Sequence, residues 1–191
     1  MKLSLSEGSL LKKSHVFASA VVRPGDVVVD ATMGNGYDTL FLAQCVGPVG
    51  KVIGFDIQEQ ALVATEKRLL ESGVACSSFE LHRVSHAELA EYVSSGVAAV
   101  LFNLGYLPGA DKSLITQVES SLSALAQSLA CLRSGGLLSV MCYPGHAGGD
   151  TEAEAVKRWM EEIDGVDADV EMVQSMRALE RSPFLLVAVK R

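Results

Sequence analysis

"VVVDATMGNGYDTLFLAQCV", residues 27–46, is the stretch on which the fold turns. β-Branched side chains suit a pleated surface, so residues 26–32 read as a short buried strand ending near Asp30. Leu40, Phe41, Ala43 and Gln44 recur at helical spacing, so 37–46 reads as a helix, which Gly47 and Pro48 stop. Between them lies a glycine-rich turn. Strand, turn and helix in that order open a βαβ unit. In open α/β sheets such a turn lies at the carboxyl ends of the strands, where ligands bind.

The alternation continues along the chain. Residues 51–57 ("KVIGFDI") read as a second strand. Residues 58–73 form a helix whose inner face is Ala61, Leu62, Thr65, Leu69 and Leu70, with Gly73 as its stop. A third strand spans 77–84. The helix expected at 85–93 opens with Ser85 and Glu88 at capping-box spacing. A fully apolar fourth strand spans 97–104, and one long helix with a glycine C-cap spans 115–136. The fifth strand is 137–143. The helix at 150–164 carries acids in its first turn, which suits its dipole, and Trp159 and Met160 on its core side. Strands at 167–176 and 183–191 close the chain, antiparallel because only a short loop joins them. "LLKKSHVFASAVV" (10–22) reads as a leading helix beside the sheet. The expectation is an α/β, Rossmann-like domain over 1–191, with a leading helical segment at 1–23. Its sheet is mostly parallel, with helices on both faces.

A chain of 191 residues suits one domain. No apolar run approaches the ~18 residues of a membrane span, and the first residues lack a signal-peptide core, so a soluble cytoplasmic protein is expected. Net charge is -7, which weighs against a nucleic-acid partner. Cations gather at both ends, however. Lys2, Lys12, Lys13 and Arg23 lie at one end, and Arg177, Arg181, Lys190 and Arg191 at the other. They read either as a local phosphate-binding face or as solvated termini. Cys45, Cys76, Cys131 and Cys142 form no C-x-x-C pair, and the histidines show no ligand spacing, so core thiols and no metal are expected. The apolar helices leave a homodimer face open.

Three loops carry the chemistry. Gly34 and Gly36 lack a β-carbon, so their turn can be tight and a ligand can approach the backbone. Asp56 ends the second strand about 20 residues beyond, where an acid can accept both hydroxyls of a ribose. A dinucleotide fingerprint would need Gly or Ala where Thr39 stands. The bland alternative is a structural turn with a surface acid. Asp38 and Thr39 are accounted for as helix-start residues, and a ligand contact there stays open. In "FNLGYLPG" (102–109), the Asn103 amide can accept from an amine hydrogen, and Tyr106 can stack on a planar base. A capping Asn and a core Tyr are the alternative. In "YPGHAGG" (143–149) glycines let the loop lie close to a ligand. His146 there either takes a proton near neutral pH or is simply exposed. His86 either borders an adenine ring or, with Ser85, only starts a helix.

"DATMGNGYDTLFLA", "GFDIQ", "FNLGYLPGADK" and "YPGHAGG", in that order, resemble the class I S-adenosylmethionine-dependent methyltransferases labelled rRNA methylases. The YtqB/MnmM-type members of that family act on the tRNA wobble uridine. The resemblance covers essentially the whole chain. It implies a seven-stranded sheet with a reversed last strand, with S-adenosylmethionine as cofactor and S-adenosylhomocysteine as product. It also implies N-methylation of the 5-aminomethyl group of uridine 34, with or without 2-thiolation, and so a tRNA anticodon stem-loop as partner. By position, Asp30, Gly34 and Gly36 would line the methionine part of the cofactor. Asp56 would hold its ribose, and Ile57 and Gln58 would border the adenine. Thr32, Asn35, Asp38, Thr39, Ser85, His86 and Asn103 would complete that side. Tyr106, Lys112, Tyr143 and His146 would form the substrate side, with Asn103 and Tyr106 as catalytic residues. Leu104 and Gly105 stand where N-P-P-Y-type relatives carry prolines. An rRNA or small-molecule methyltransferase stays open as an alternative. So do an NAD-binding dehydrogenase, which the missing third glycine does not suit, and a non-catalytic binding module.

Overall fold

The computed structural model describes residues 10–105, 115–145, 148–175, 179 and 181–191. The expectations placed on Tyr106, Pro108, Gly109, Lys112 and His146 therefore lie outside the described residues.

Elements follow in the order α1 (Leu10–Val21), β1 (Val27–Asp30), α2 (Tyr37–Val46), β2 (Lys51–Phe55), α3 (Glu59–Glu71), β3 (Phe79–His82), α4 (Leu89–Tyr92), β4 (Val97–Leu104), α5 (Val118–Cys131), β5 (Leu132–Cys142), α6 (Gly149–Ile163), β6 (Ala168–Gln174) and β7 (Phe184–Lys190). The strands form one seven-stranded sheet in the order β3-β2-β1-β4-β5-β7-β6. β7 lies antiparallel to both β5 and β6, while the pairs among β1 to β5 are parallel. The expected antiparallel end is therefore present, with β7 inserted between β5 and β6.

Burial on both faces explains the apolar strands. Along β7, Leu185 and Val187 face one core with Ala18, Leu42 and Leu69 from α1 to α3. Phe184, Leu186 and Ala188 face the other, with Leu89, Leu125 and Met160 from α4 to α6. Chain connections run outward in both directions from β1 and β4. These two strands are neighbours, so a crevice opens above their carboxyl ends.

Four expectations need correction. The helix expected over 115–136 ends at Cys131, and residues 132–136 already belong to β5. Backbone pairing decides this: Leu132 lies opposite Val97, and the register shifts before Ala99 meets Leu137. Residues 85–93 form a 3-10 turn at His86–Glu88 and then a one-turn helix; the Ser85 hydroxyl accepts from the Ala87 N–H at 3.2 Å. Leu70 is exposed, so the inner face of α3 is Ala61, Thr65 and Leu69. Cys76 is exposed as well, whereas Cys131 and Cys142 lie in the core.

α1 is fastened to the sheet at both ends. The Ser14 hydroxyl shares a buried 2.8 Å hydrogen bond with Ser139 of β5. Near the other end Arg133 donates to the Val21 carbonyl at 3.1 Å and to both Asp26 oxygens at 2.6 and 3.0 Å. No described helix is long and apolar enough to cross a membrane.

Candidate active site

The turn after β1 is built on glycine conformations. Gly34 and Gly36 adopt φ of +48° and +77°, the left-handed region that other residues avoid. A β-carbon on Gly36 would also lie 2.8 Å from the Thr65 Cα, so the turn can seat on α3 only through glycine. Thr65 answers by donating its hydroxyl to the Gly34 carbonyl at 3.1 Å.

Behind the turn Asp30 is completely buried. It accepts from the Thr39 hydroxyl at 2.6 Å and the Thr32 N–H at 3.3 Å. Burial, with the neighbouring Asp38 charge, pushes its carboxyl up to about 7 despite those bonds. Asp56 sits just beyond β2. One of its oxygens accepts from the Gly34 N–H at 3.1 Å and the other from the Gln58 N–H at 2.9 Å. Each oxygen keeps a lone pair for another donor. Burial raises this carboxyl above the ordinary range, and backbone N–H groups oppose the rise.

These elements surround a cavity of about 960 Å³, within the range of small-molecule sites. Thr32, Gly34, Asn35, Asp38, Asp56, Ile57, Gln58, Ser85, His86, Asn103 and Tyr143 all reach its wall. Asp30, Gly36 and Thr39 stand behind the wall and hold it in shape. The His86 Nε2 is buried with no hydrogen-bond partner among the described residues. Burial keeps this imidazole neutral, with its pKa lowered to about 4.

Asn103, near the end of β4, is held twice. Its N–H donates to the Thr32 hydroxyl at 2.7 Å, and its Nδ2 donates to Asp38 Oδ2 at 2.7 Å. A carboxylate accepts only, so the amide nitrogen is the group turned to Asp38. Asn103 lines the cavity, and with its nitrogen on Asp38 the amide oxygen is the end left to accept. Tyr143 lies close enough that burial, and then the Asp38 charge, raise its hydroxyl above the usual tyrosine value.

Other residues at or beside the site were not offered by the sequence as site residues. His15 of α1 donates from Nε2 to Asp38 Oδ1 at 2.7 Å and stacks on Phe41 at 3.8 Å. Leu11, Thr116, Gln117 and Pro183 line the cavity, as does Arg181, which the sequence offered only as one of the C-terminal cations. They come from distant parts of the chain, and only folding brings them together. The described cations of the basic C-terminal segment have partners within the protein. Arg181 pairs with Asp150 at 3.0 Å, Arg191 pairs with Asp169, and Lys190 donates to the Ala130 and Leu132 carbonyls.

The strand order with β7 alone reversed, the glycine turn after β1 and the acid after β2 define the class I S-adenosylmethionine-dependent methyltransferase fold. Residues 52–189 match the family described as "Putative rRNA methylase", and the chain belongs to that family. By fold and family it is a methyltransferase of the S-adenosylmethionine-dependent class. A "putative rRNA-methylase" from Clostridium thermocellum superposes with a TM-score of 0.93 at 36% identity, covering 98% of this chain and 100% of that one. A "putative methyltransferase" from Streptococcus mutans, solved in complex with SAH, gives 0.88 at 36% identity, over 97% and 100% of the two chains. An Arabidopsis thaliana protein named tRNA (mnm(5)s(2)U34)-methyltransferase, chloroplastic, is 41% identical over 154 residues, which is 75% of this chain. This chain spans 56% of that relative's length.

Proposed function

We propose that this chain N-methylates the 5-aminomethyl group of wobble uridine 34 in tRNA, giving the 5-methylaminomethyl product. The observation that carries the reading is the Asn103 amide, fixed at the cavity wall with its nitrogen on Asp38; its oxygen is then the end to accept an N–H. A nucleophile bearing an N–H is what such an acceptor can orient. The name of the 41% identical plant relative points to the same substrate.

The cavity residues fit the cofactor. The free lone pairs of Asp56 suit a ribose diol, and the unpartnered His86 Nε2 suits the exocyclic amine of an adenine between Ile57, Gln58 and Ser85. Thr32, Gly34, Asn35 and Asp38 would border the amino-acid portion, with Asp30, Gly36 and Thr39 supporting them. The cofactor, when bound, supplies a methyl group on a sulfonium that carries its own leaving group. The protein must then hold a neutral amine in line with that methyl, because an ammonium has no lone pair. Asn103 Oδ1 and the Leu104 carbonyl orient the nitrogen, and Tyr143 walls the substrate side. Tyr106, Lys112 and His146 are assigned to the same side on the resemblance alone.

The deciding experiment is nucleoside mass spectrometry of tRNA from cells with and without the protein, followed by restoration in vitro with S-adenosylmethionine. The expected product is heavier by one methylene at the wobble nucleoside. Unchanged tRNA with altered rRNA would transfer the reading to the rRNA alternative, which the family description favours. Unchanged RNA of both kinds would favour a small molecule.

A further inference from the structure

We propose that His15 is a positioning residue for methyl transfer, acting through Asp38 to fix which end of the Asn103 amide faces the cavity. This rests on the reading of Asn103 as the nitrogen-orienting group.

Three side chains from three elements form one hydrogen-bonded chain. His15 Nε2 donates to Asp38 Oδ1 at 2.7 Å, and Asn103 Nδ2 donates to Asp38 Oδ2 at 2.7 Å. Asp38 thus has one oxygen committed to each neighbour. An amide has nearly the same shape either way round, so packing alone selects its orientation poorly. Turning Asn103 over would place its oxygen against a carboxylate oxygen at hydrogen-bond distance. The carboxylate excludes that arrangement, but only while it is held where it is. Rotation about a carboxylate's terminal torsion is soft, so Asp38 needs a second anchor. His15 is that anchor.

The imidazole is itself located by more than this bond. It stacks on Phe41 at 3.8 Å with the rings only 4° from parallel. Its neighbour Ser14 is tied to Ser139 by the buried hydroxyl pair. The leading helix therefore does more than cover the sheet. It lies outside the 52–189 segment that matches the family, yet it sets a side chain at the end of β4.

Two substitutions separate the bond from the packing. His15→Phe keeps a ring on Phe41 and removes the donor; His15→Gln keeps a donor near the Nε2 position and removes the ring. The first measurement is methyl transfer from S-adenosylmethionine to tRNA purified from cells lacking this protein, using the full chain. His15→Phe should lower kcat on the order of 10- to 100-fold, as a misplaced reactant would, with the KM for S-adenosylmethionine changed by less than about threefold. His15→Gln should recover kcat to within about fivefold of wild type. Full turnover by His15→Phe, or a glutamine variant no better than the phenylalanine one, would overturn the proposal. His15→Leu serves in place of His15→Phe should the latter not fold.

The second measurement needs no substrate. In protein labelled with 15N-asparagine, the Asn103 side-chain amide should exchange slowly in wild type and His15→Gln, and lose that protection in His15→Phe. An Asn103 amide indifferent to His15→Phe would also overturn the proposal. If wild type fails to methylate the tRNA, the substrate reading falls, and the amide measurement still decides the role of His15.

Discussion

Gly36→Ala tests the seat of the glycine turn. Gly36 adopts φ +77°, and a β-carbon there would lie 2.8 Å from both the Cα and the hydroxyl of Thr65. Two costs follow. Holding a non-glycine residue in the left-handed region costs about 1–2 kcal/mol. Forcing backbone apart in a close-packed contact adds roughly 1–3 kcal/mol. The Cα cannot swing aside as a flexible side-chain end could, so α3 must shift and carry the Thr65–Gly34 hydrogen bond with it. A loss of about 2–5 kcal/mol is expected. Gly73 provides the control, because it has the same φ of +77° with nothing within 4 Å of the added carbon. Gly73→Ala should cost the conformational part alone, about 1–2 kcal/mol. The assay is urea unfolding of both variants and wild type, read as midpoint shifts at constant slope. Equal losses for the two variants would refute the close-approach argument and leave only backbone strain.

Asn103→Ala should lower methyl transfer on the order of 100-fold while leaving unfolding within about 2 kcal/mol of wild type, checked by single-turnover kinetics and denaturation. His86 should make stability fall as pH drops from 6.5 toward about 4, because over that window the unfolded imidazole binds a proton that the folded one refuses. Asp30, with its raised carboxyl, acts in the opposite sense between 3.8 and about 7, where the folded state binds the extra proton. The readout is therefore the difference between wild type and His86→Gln, up to about 3 kcal/mol across the window, from unfolding at several pH values. Glu152 is buried and accepts from Ser121 at 2.6 Å and Thr116 at 2.7 Å. Glu152→Ala should cost about 3 kcal/mol, and Glu152→Gln about half of that, measured by urea unfolding.

The strand–turn–helix at 27–46 and the paired final strands were legible because their signals are local. β-Branched runs, helical spacing and glycine stops act within a few residues. Boundaries failed where a distant partner decides the backbone. Residues 132–136 join β5 because β4 offers a ladder there, which helical propensity cannot register. Leu70 looked like part of the inner face of α3, but the residues that helix buries are Ala61, Thr65 and Leu69, and Leu70 is left exposed.

The same division runs through the candidate site. Asp56 and Asn103 could be picked out because each stands at the carboxyl end of a strand, a place the alternation of elements already defines. Asp38 was visible as a helix-start residue and, by resemblance, as a cofactor contact, but not as the link between two other elements. Its two hydrogen bonds, to His15 and Asn103, join residues far apart in the chain. Local pattern along the chain was enough to specify the kind of fold, the edge at which a ligand would sit and the residue types offered there. Tertiary structure alone decided which of these residues form the wall and which stand behind it. It also decided that the leading helix reaches the site, and which way round Asn103 is held. The physical reason is range: periodicity and turn chemistry are properties of neighbouring residues, whereas a carboxylate shared between two elements exists only once both are packed against the sheet.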